Sequence, residues 1–185
     1  MLNADRLSRD LPFEGLGRPL HVHEQLGSTN AEALALASAG ADHGTLVIAD
    51  EQTAGRGRGG RRWLTPPGTA LAVSLILRPR GLTPEAAGGM NVLGALAVVE
   101  ALAARQVQAH IKWPNDVVVG GRKIAGVLAE ASWSGEALEF VVLGIGVNVL
   151  AGSAPPDDEV EFPATSLEAV TGRQEQRETL LIDMV

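Results

Sequence analysis

Between Gln52 and Trp63 the chain reads QTAGRGRGGRRW, with four arginines and four glycines in twelve residues. Arginine offers a permanent charge and a fixed fork of donors that suits carboxylates and phosphates. Glycine lets the backbone bend and come close to a ligand. Such a segment can close over a small anion, cradle a dinucleotide or track a nucleic-acid strand. A second concentration of chemistry follows in KWPND, Lys112 to Asp116, and in RKIAGVLAE, Arg122 to Glu130. Pro114 bars regular helix and interrupts ladder hydrogen bonding, so Asn115 and Asp116 are expected to project from a strand end. A carboxylate beside a carboxamide can hold Mg²⁺ or orient a nucleotide; the same pair is also ordinary turn chemistry.

Gly55, Gly57 and Gly60 satisfy the dinucleotide pattern G-x-G-x-x-G, but that fingerprint needs its last glycine to open a helix that receives pyrophosphate. Here RRWLTPPGTALAV follows, with adjacent prolines leading into a strand. A nucleic-acid role has RGRGG in its favour. Against it stand a formal net charge of -7, no tyrosine and no repeat of the tract, because affinity for polyphosphates comes largely from Lys and Arg displacing counterions. A merely solvated basic loop is the remaining reading, and the second cation-and-acid cluster weighs against it. His21 and His23 alternate on one strand face without a third ligand and read as structural. No serine sits in a G-x-S-x-G elbow. Glu130 could act as a base, and reads better as a salt-bridge partner.

These residues need a scaffold. The chain has 185 residues, 45% of them apolar, enough for one well-buried domain. With no cysteine it has neither disulfides nor thiolate metal sites. MLNADRLSRDLPFEG lacks the apolar run of a secretory signal. Asn91 and Glu100 interrupt the long apolar stretch of AAGGMNVLGALAVVEALAA, which suits a core helix rather than a membrane span. A cytoplasmic, non-membrane protein is expected. LHVHEQL reads as a strand, and a helix is predicted from Thr29 and Glu32, which have capping-box spacing, to Gly40. GTLVIADEQ and TALAVSLILRP read as strands flanking the arginine loop. A helix is predicted from Thr83 to about Ala104. An antiparallel meander follows, with turns at Gly120-Gly121 and WSGEA. LAGSAPPDDEVEFPAT reads as a surface loop. Thr165 and Glu168 repeat the capping-box spacing, Gly172 ends that helix, and RETLLIDMV opens another that the chain leaves uncapped, which implies further sequence beyond it. The fold class expected is α/β of the α+β type: a central mixed, mostly antiparallel sheet with helices chiefly on one face.

Taken together, GSTN, QTAGRGRGGRRW, KWPND, RKIAGVLAE and GIGVN, in this order over roughly residues 20 to 150, resemble the catalytic domain of biotin protein ligases. The resemblance implies a class II synthetase-like fold, ATP-dependent activation of biotin to biotinyl-5′-AMP, and transfer to a lysine of a biotin carboxyl carrier domain. Biotin and ATP would be substrates and Mg²⁺ the metal. It implies that Ser28, Thr29 and Gln52 surround the ureido ring, that Gly55, Arg56 and Arg58 lie near the biotin carboxylate and the phosphate, and that Gly126 admits the bicyclic ring. Lys123 would touch the carboxylate and the α-phosphate. Arg58, Trp63, Lys112, Asn115 and Asn148 would serve the nucleotide, and Asp116 the metal. Catalysis would fall to Arg58, Lys123 and Asp116, with the arginine loop closing over the ligands. Residues 1–19 are expected to be an extension without the helix-turn-helix domain of some family members, so no operator DNA is bound. Residues 20–185 would be the catalytic domain, without the C-terminal SH3-like barrel. The alternatives are a lipoate or octanoyl transferase of the same superfamily and, in another class, a nucleic-acid-binding module.

Overall fold

Strand residues alternate between two faces, and in this chain the two faces differ in kind. A computed structural model describes residues 1–12 and 15–185. Its elements are α1 (Ala4–Asp10), β1 (Leu20–Leu26), α2 (Thr29–Ser38), β2 (Leu46–Gln52), β3 (Ala70–Leu77), α3 (Pro84–Ala87), α4 (Met90–Ala103), β4 (His110–Lys112), β5 (Asp116–Val119), β6 (Arg122–Ser134), β7 (Ala137–Asn148), α5 (Leu167–Thr171) and α6 (Arg177–Met184). The strands form one seven-stranded sheet in the order β1-β2-β3-β7-β6-β5-β4. Only β1 and β2 are parallel, with α2 as their crossover; every other pairing is antiparallel. The mixed, mostly antiparallel sheet matches expectation.

On one face Leu46, Ile48, Leu71, Val73, Val127, Leu143 and Val147 pack with Val98 and Leu102 of α4, Leu180 and Leu181 of α6, and Leu7 of α1. On the other face α2, alone among the described helices, lays Ala33 and Ala37 on Val47, Ile76, Phe140 and Val142. The helices therefore lie chiefly on one side, and the rest of the second face is left for the site. Charge pins α6 down: Arg177 Nη2 donates to Asp50 Oδ1 at 2.7 Å and Nη1 to the Ala70 carbonyl at 3.1 Å, both side chains being buried. Removing one member of such a pair costs about 3–5 kcal/mol, because the other charge stays buried and uncompensated. The segment before β1 is packed as well, since Asn3 caps α1 and its N–H reaches Glu178 of α6 at 2.8 Å.

Three local expectations shift. The N-cap of α2 is Ser28 rather than Thr29, because the Thr29 N–H and hydroxyl both turn to the Gln52 side-chain carbonyl. Similarly, α5 is capped by Ser166 rather than Thr165, and Glu168 instead accepts the Ala151 N–H. The single helix expected from Thr83 breaks into α3 and α4 at Gly88-Gly89, where two poor helix formers stand together. Gly120 and Gly121 have φ of +56° and +76°, the left-handed pair that a tight hairpin turn requires.

One irregularity matters for the site. Val117 faces Ala125 and Val118 faces Lys123, so the β5–β6 register slips by one residue and Ile124 has no β5 partner. Strict alternation back from Gly126 would have sent Lys123 to the helix-covered face. The slip leaves Ile124 and Ala125 both fully buried in the core and returns Lys123 to the opposite side.

Candidate active site

A cavity of about 700 Å³ opens on the face that the helices leave bare, bounded by β3, β6 and β7, the start of α2, the arginine loop, the Lys112–Asp116 turn and the segment 155–164. Of the residues singled out in the sequence, Ser28, Thr29, Gln52, Arg56, Arg58, Trp63, Lys112, Asn115, Asp116, Lys123, Gly126 and Asn148 line it. Gly55 does not. It sits at the base of the loop, where a Cβ would lie 2.3 Å from the Trp63 carbonyl oxygen.

At one end the polar groups are locked into a defined orientation. Gln52 Oε1 accepts the Thr29 N–H at 2.7 Å and its hydroxyl at 3.1 Å, so Gln52 Nε2 must be the donor that meets Thr65 Oγ1 at 2.9 Å. Ser74, fully buried beneath, touches Thr29 Oγ1 and Asn30 Oδ1. This end offers a rigid set of neutral donors and acceptors.

The floor is made of glycine. Gly126 and Gly146 carry only hydrogens where Trp63 lies: a Cβ at Gly146 would come within 2.4 Å of Trp63 Cε2 and Nε1, and one at Gly126 within 3.2 Å of Cζ3. The resemblance reserved Gly126 for a bicyclic ligand ring; the structure puts the indole of Trp63 there. Its Nε1 is buried without a hydrogen-bond partner among the described residues, an open donor in the site.

The other end is cationic. Lys123 Nζ lies 2.7 Å from Asp116 Oδ1, and Lys112 Nζ lies 4.0 Å from Oδ2. Lys123 also stands 5.5 Å from the Trp63 ring centroid, and Lys112 is 4.4 Å from that of Phe162. Asp116 is thus a counter-ion to two ammonium groups, and among the described residues no cluster of three or more acids or histidines could hold a metal unaided. One carboxylate still fits Mg²⁺, which is commonly held by one or two carboxylates together with substrate phosphates and water. Asn115 projects less than expected, since its Nδ2 donates to the Val127 carbonyl at 2.8 Å, and Asn148 Nδ2 likewise donates to that of Thr165 at 3.0 Å. Each stitches the frame with its amide while lining the cavity.

The arginine loop is a small hairpin, closed by Trp63 N–H to Gly55 O at 3.0 Å and Gly57 N–H to Arg61 O at 2.7 Å. Its arginines differ in duty. Arg56 pairs with Glu130, Arg62 donates to the Thr53 carbonyl and Arg61 to that of Arg58. Among the described residues the Arg58 guanidinium has no hydrogen-bonding or ionic partner and lines the cavity. The outer wall was not legible beforehand. Lys123 N–H donates to Pro163 O at 2.7 Å, Thr165 N–H to Lys123 O at 2.8 Å, and Arg122 Nη2 meets Asp157 at 2.5 Å, which seats Glu159, Glu161 and Phe162 along the cavity. Its acidic, proline-rich composition resembles that of any solvated loop; the one available signal was Phe162, an aromatic among acids.

The model of the biotin/lipoate A/B protein ligase family matches residues 22–148, from β1 to the end of β7. The chain belongs to that family. It is 38% identical over 177 residues to the bifunctional ligase/repressor BirA of Bacillus subtilis, covering 95% of this chain and 54% of that one. It is 47% identical over 148 residues to the biotin–[acetyl-CoA-carboxylase] ligase of Paracoccus denitrificans, covering 78% and 60%. The biotin protein ligase of Aquifex aeolicus, solved in complex with biotin and ATP, superposes with a TM-score of 0.74 at 31% identity, over 90% of this chain and 67% of that one. The chain thus spans about half the length of the first of these relatives. Two of these relatives, those of Paracoccus denitrificans and Aquifex aeolicus, are biotin ligases, and the region that the family model matches contains the arginine loop, both lysines and the glycine floor.

Proposed function

We propose that the chain is the catalytic domain of a biotin–[biotin carboxyl carrier protein] ligase, which forms biotinyl-5′-AMP from biotin and ATP and passes the biotinyl group to a carrier lysine. One observation carries the reading: a single cavity holds a fixed neutral hydrogen-bonding set at one end and, at the other, two lysines sharing one carboxylate beside the unpaired Arg58, with no activated nucleophile between them among the described residues. That arrangement suits a reaction whose nucleophiles both belong to substrates.

In this reading Thr29 and Gln52 hold the ureido ring, matching its carbonyl and N–H groups with preset donors and acceptors. The biotin carboxylate then lies toward Lys123 and Arg58. Attack of a carboxylate oxygen on the α-phosphorus expels pyrophosphate and builds negative charge on the phosphoryl oxygens, where Lys123 and Arg58 stabilise it. Asp116 holds the Lys123 ammonium in place, and Trp63 offers its indole face to the nucleotide. With phosphates bound, Asp116 would help hold Mg²⁺, which offsets charge on the leaving pyrophosphate. The acceptor lysine, as free amine, then attacks the carbonyl of the mixed anhydride; AMP leaves and the amine loses a proton. The relatives' identities support biotin over lipoate. The net charge of -7 supports a chain without nucleic-acid partners. No helix among the described residues is long and apolar enough to cross a membrane, which accords with a cytoplasmic enzyme.

Biotin-dependent exchange of labelled pyrophosphate into ATP tests the first half-reaction. Exchange with biotin and none with lipoate is expected; exchange driven by lipoate alone would move the chain to the other branch, and binding of a single-stranded oligonucleotide without exchange would refute the enzyme.

A further inference from the structure

Glu130 lies two pleats beyond Gly126 on β6, on the same face as Gly126 and Leu128 and level with the base of the arginine loop. Both carboxylate oxygens are engaged: Oε1 receives Arg56, and Oε2 receives Asn30 Nδ2 at 2.8 Å. Asn30 is 4% exposed, and its orientation follows from its neighbours. Nδ2 faces two acceptors, Glu130 and the Leu128 carbonyl at 3.2 Å, while Oδ1 lies 2.6 Å from Ser74 Oγ. An amide oxygen has no proton, so Ser74 must give its single proton to Asn30. Ser74 Oγ can then only accept from Thr29. The Thr29 hydroxyl proton therefore stands at a fork between Ser74 Oγ at 2.9 Å and Gln52 Oε1 at 3.1 Å. With that proton on Ser74, one continuous chain of hydrogen bonds runs from Gln52, through the Thr29 N–H and hydroxyl, Ser74, Asn30 and Glu130 to Arg56.

We propose that Glu130 is a positioning residue: through Arg56 it docks the base of the arginine loop on β6 before any ligand arrives, and through Asn30 and Ser74 it ties that docking to the Thr29 and Gln52 end of the site. Arg56 is accordingly an anchor, in contrast to Arg58, whose guanidinium reaches the cavity unpaired. A carboxylate on the sheet does in the empty protein what a substrate anion would otherwise have to do, so the hairpin from Gly55 to Trp63 presents Arg58 and Trp63 from a fixed base. A ligand that takes hydrogen bonds from Thr29 and Gln52 decides the fork at Thr29 and is felt at Arg56. The ligand half of this proposal rests on the biotin reading; the docking half does not.

Glu130→Gln keeps the shape and an acceptor for Asn30 while removing the charge that holds Arg56. In the ligand-free protein, hydrogen exchange of the peptide spanning residues 53–63 should speed up about ten-fold, and trypsin should cleave after Arg56 faster by a similar factor, because a docked segment exchanges through local opening. Arg56→Ala, on a half-exposed loop, should produce the same exchange change, and the double variant should be no worse than either single one. In pyrophosphate exchange Glu130→Gln should raise the KM for biotin about ten-fold with kcat nearly unchanged. The exchanged pair Arg56→Glu with Glu130→Arg should recover loop protection. Wild-type loop protection in Glu130→Gln, or additive effects in the double variant, would overturn the docking. Lost protection with an unchanged KM would overturn the link to the ligand end. If the wild-type protein binds no biotin, the biotin reading falls, while ligand-free hydrogen exchange still decides the docking.

Discussion

The two faces of the sheet are built from the same strands and do opposite work. On the face under α4 and α6, Leu71, Val73, Val127 and Leu143 meet Val98 and Leu102 in close apolar packing. On the other face the intervening residues Ser74, Gly126, Gly144 and Gly146 meet Asn30 and Trp63. The first face gains free energy for every methyl group it covers. The second gives up side-chain volume to make room and places polar groups where few arrangements satisfy them. A substitution on either strand therefore has two very different meanings one residue apart.

That contrast can be tested directly. Lys123→Ala should lower the adenylation rate by about two to three powers of ten, the usual loss for one preorganised donor, with the thermal midpoint nearly unchanged; Lys112→Ala should lose less. Pyrophosphate exchange with thermal melts checks this, and near-normal exchange in Lys123→Ala would blur the division between the faces. On the covered face Leu102→Ala should cost about 2–5 kcal/mol of stability in urea unfolding, while the folded fraction keeps its KM for biotin. Gly146→Ala should cost about 1–3 kcal/mol by crowding, and its distinguishing mark is a changed Trp63 emission, because the indole has to leave its seat; unchanged emission in a Trp113→Phe, Trp133→Phe background would show the floor to be roomier than described. Least in energy, trypsin cleavage between Arg56 and Arg62 should be suppressed by biotin with ATP, and equal cleavage with and without them would remove the loop from the ligand site.

The elements of the meander could be read from the sequence because their signals are local: Gly120-Gly121 can do little but turn, and the flanking valines and alanines pair on either side. The arginine loop was legible through composition and through its place between two strands. What escaped was decided at a distance. Ser28 and Thr29 both qualify as caps, and only Gln52, on another strand, claims Thr29. The seat of Trp63 depends on two glycines more than sixty residues further along the chain. The wall at 155–164 joins the site because Lys123 and Arg122 bind backbone carbonyls there, and no periodicity announces such bonds. The role that the resemblance implies for Lys123 needs it on the open face, and it lies there only because Ile124 is left out of the pairing.

That one unpaired residue gives β6 an edit point. Upstream of Ile124 the strand presents the charge of Lys123 to the cavity; downstream its phase is set by the core. Losing Ile124 would rejoin the phases with Lys123 still on the side of Gly126, at the expense of one fully buried core side chain; taking Ile124 into the ladder instead would swing the ammonium of Lys123 toward the hydrocarbon under α4 and leave Asp116 with Lys112 alone. A shift of a single residue in register, with no change in composition at the site, would thereby put an ammonium on the covered face and an isoleucine on the open one.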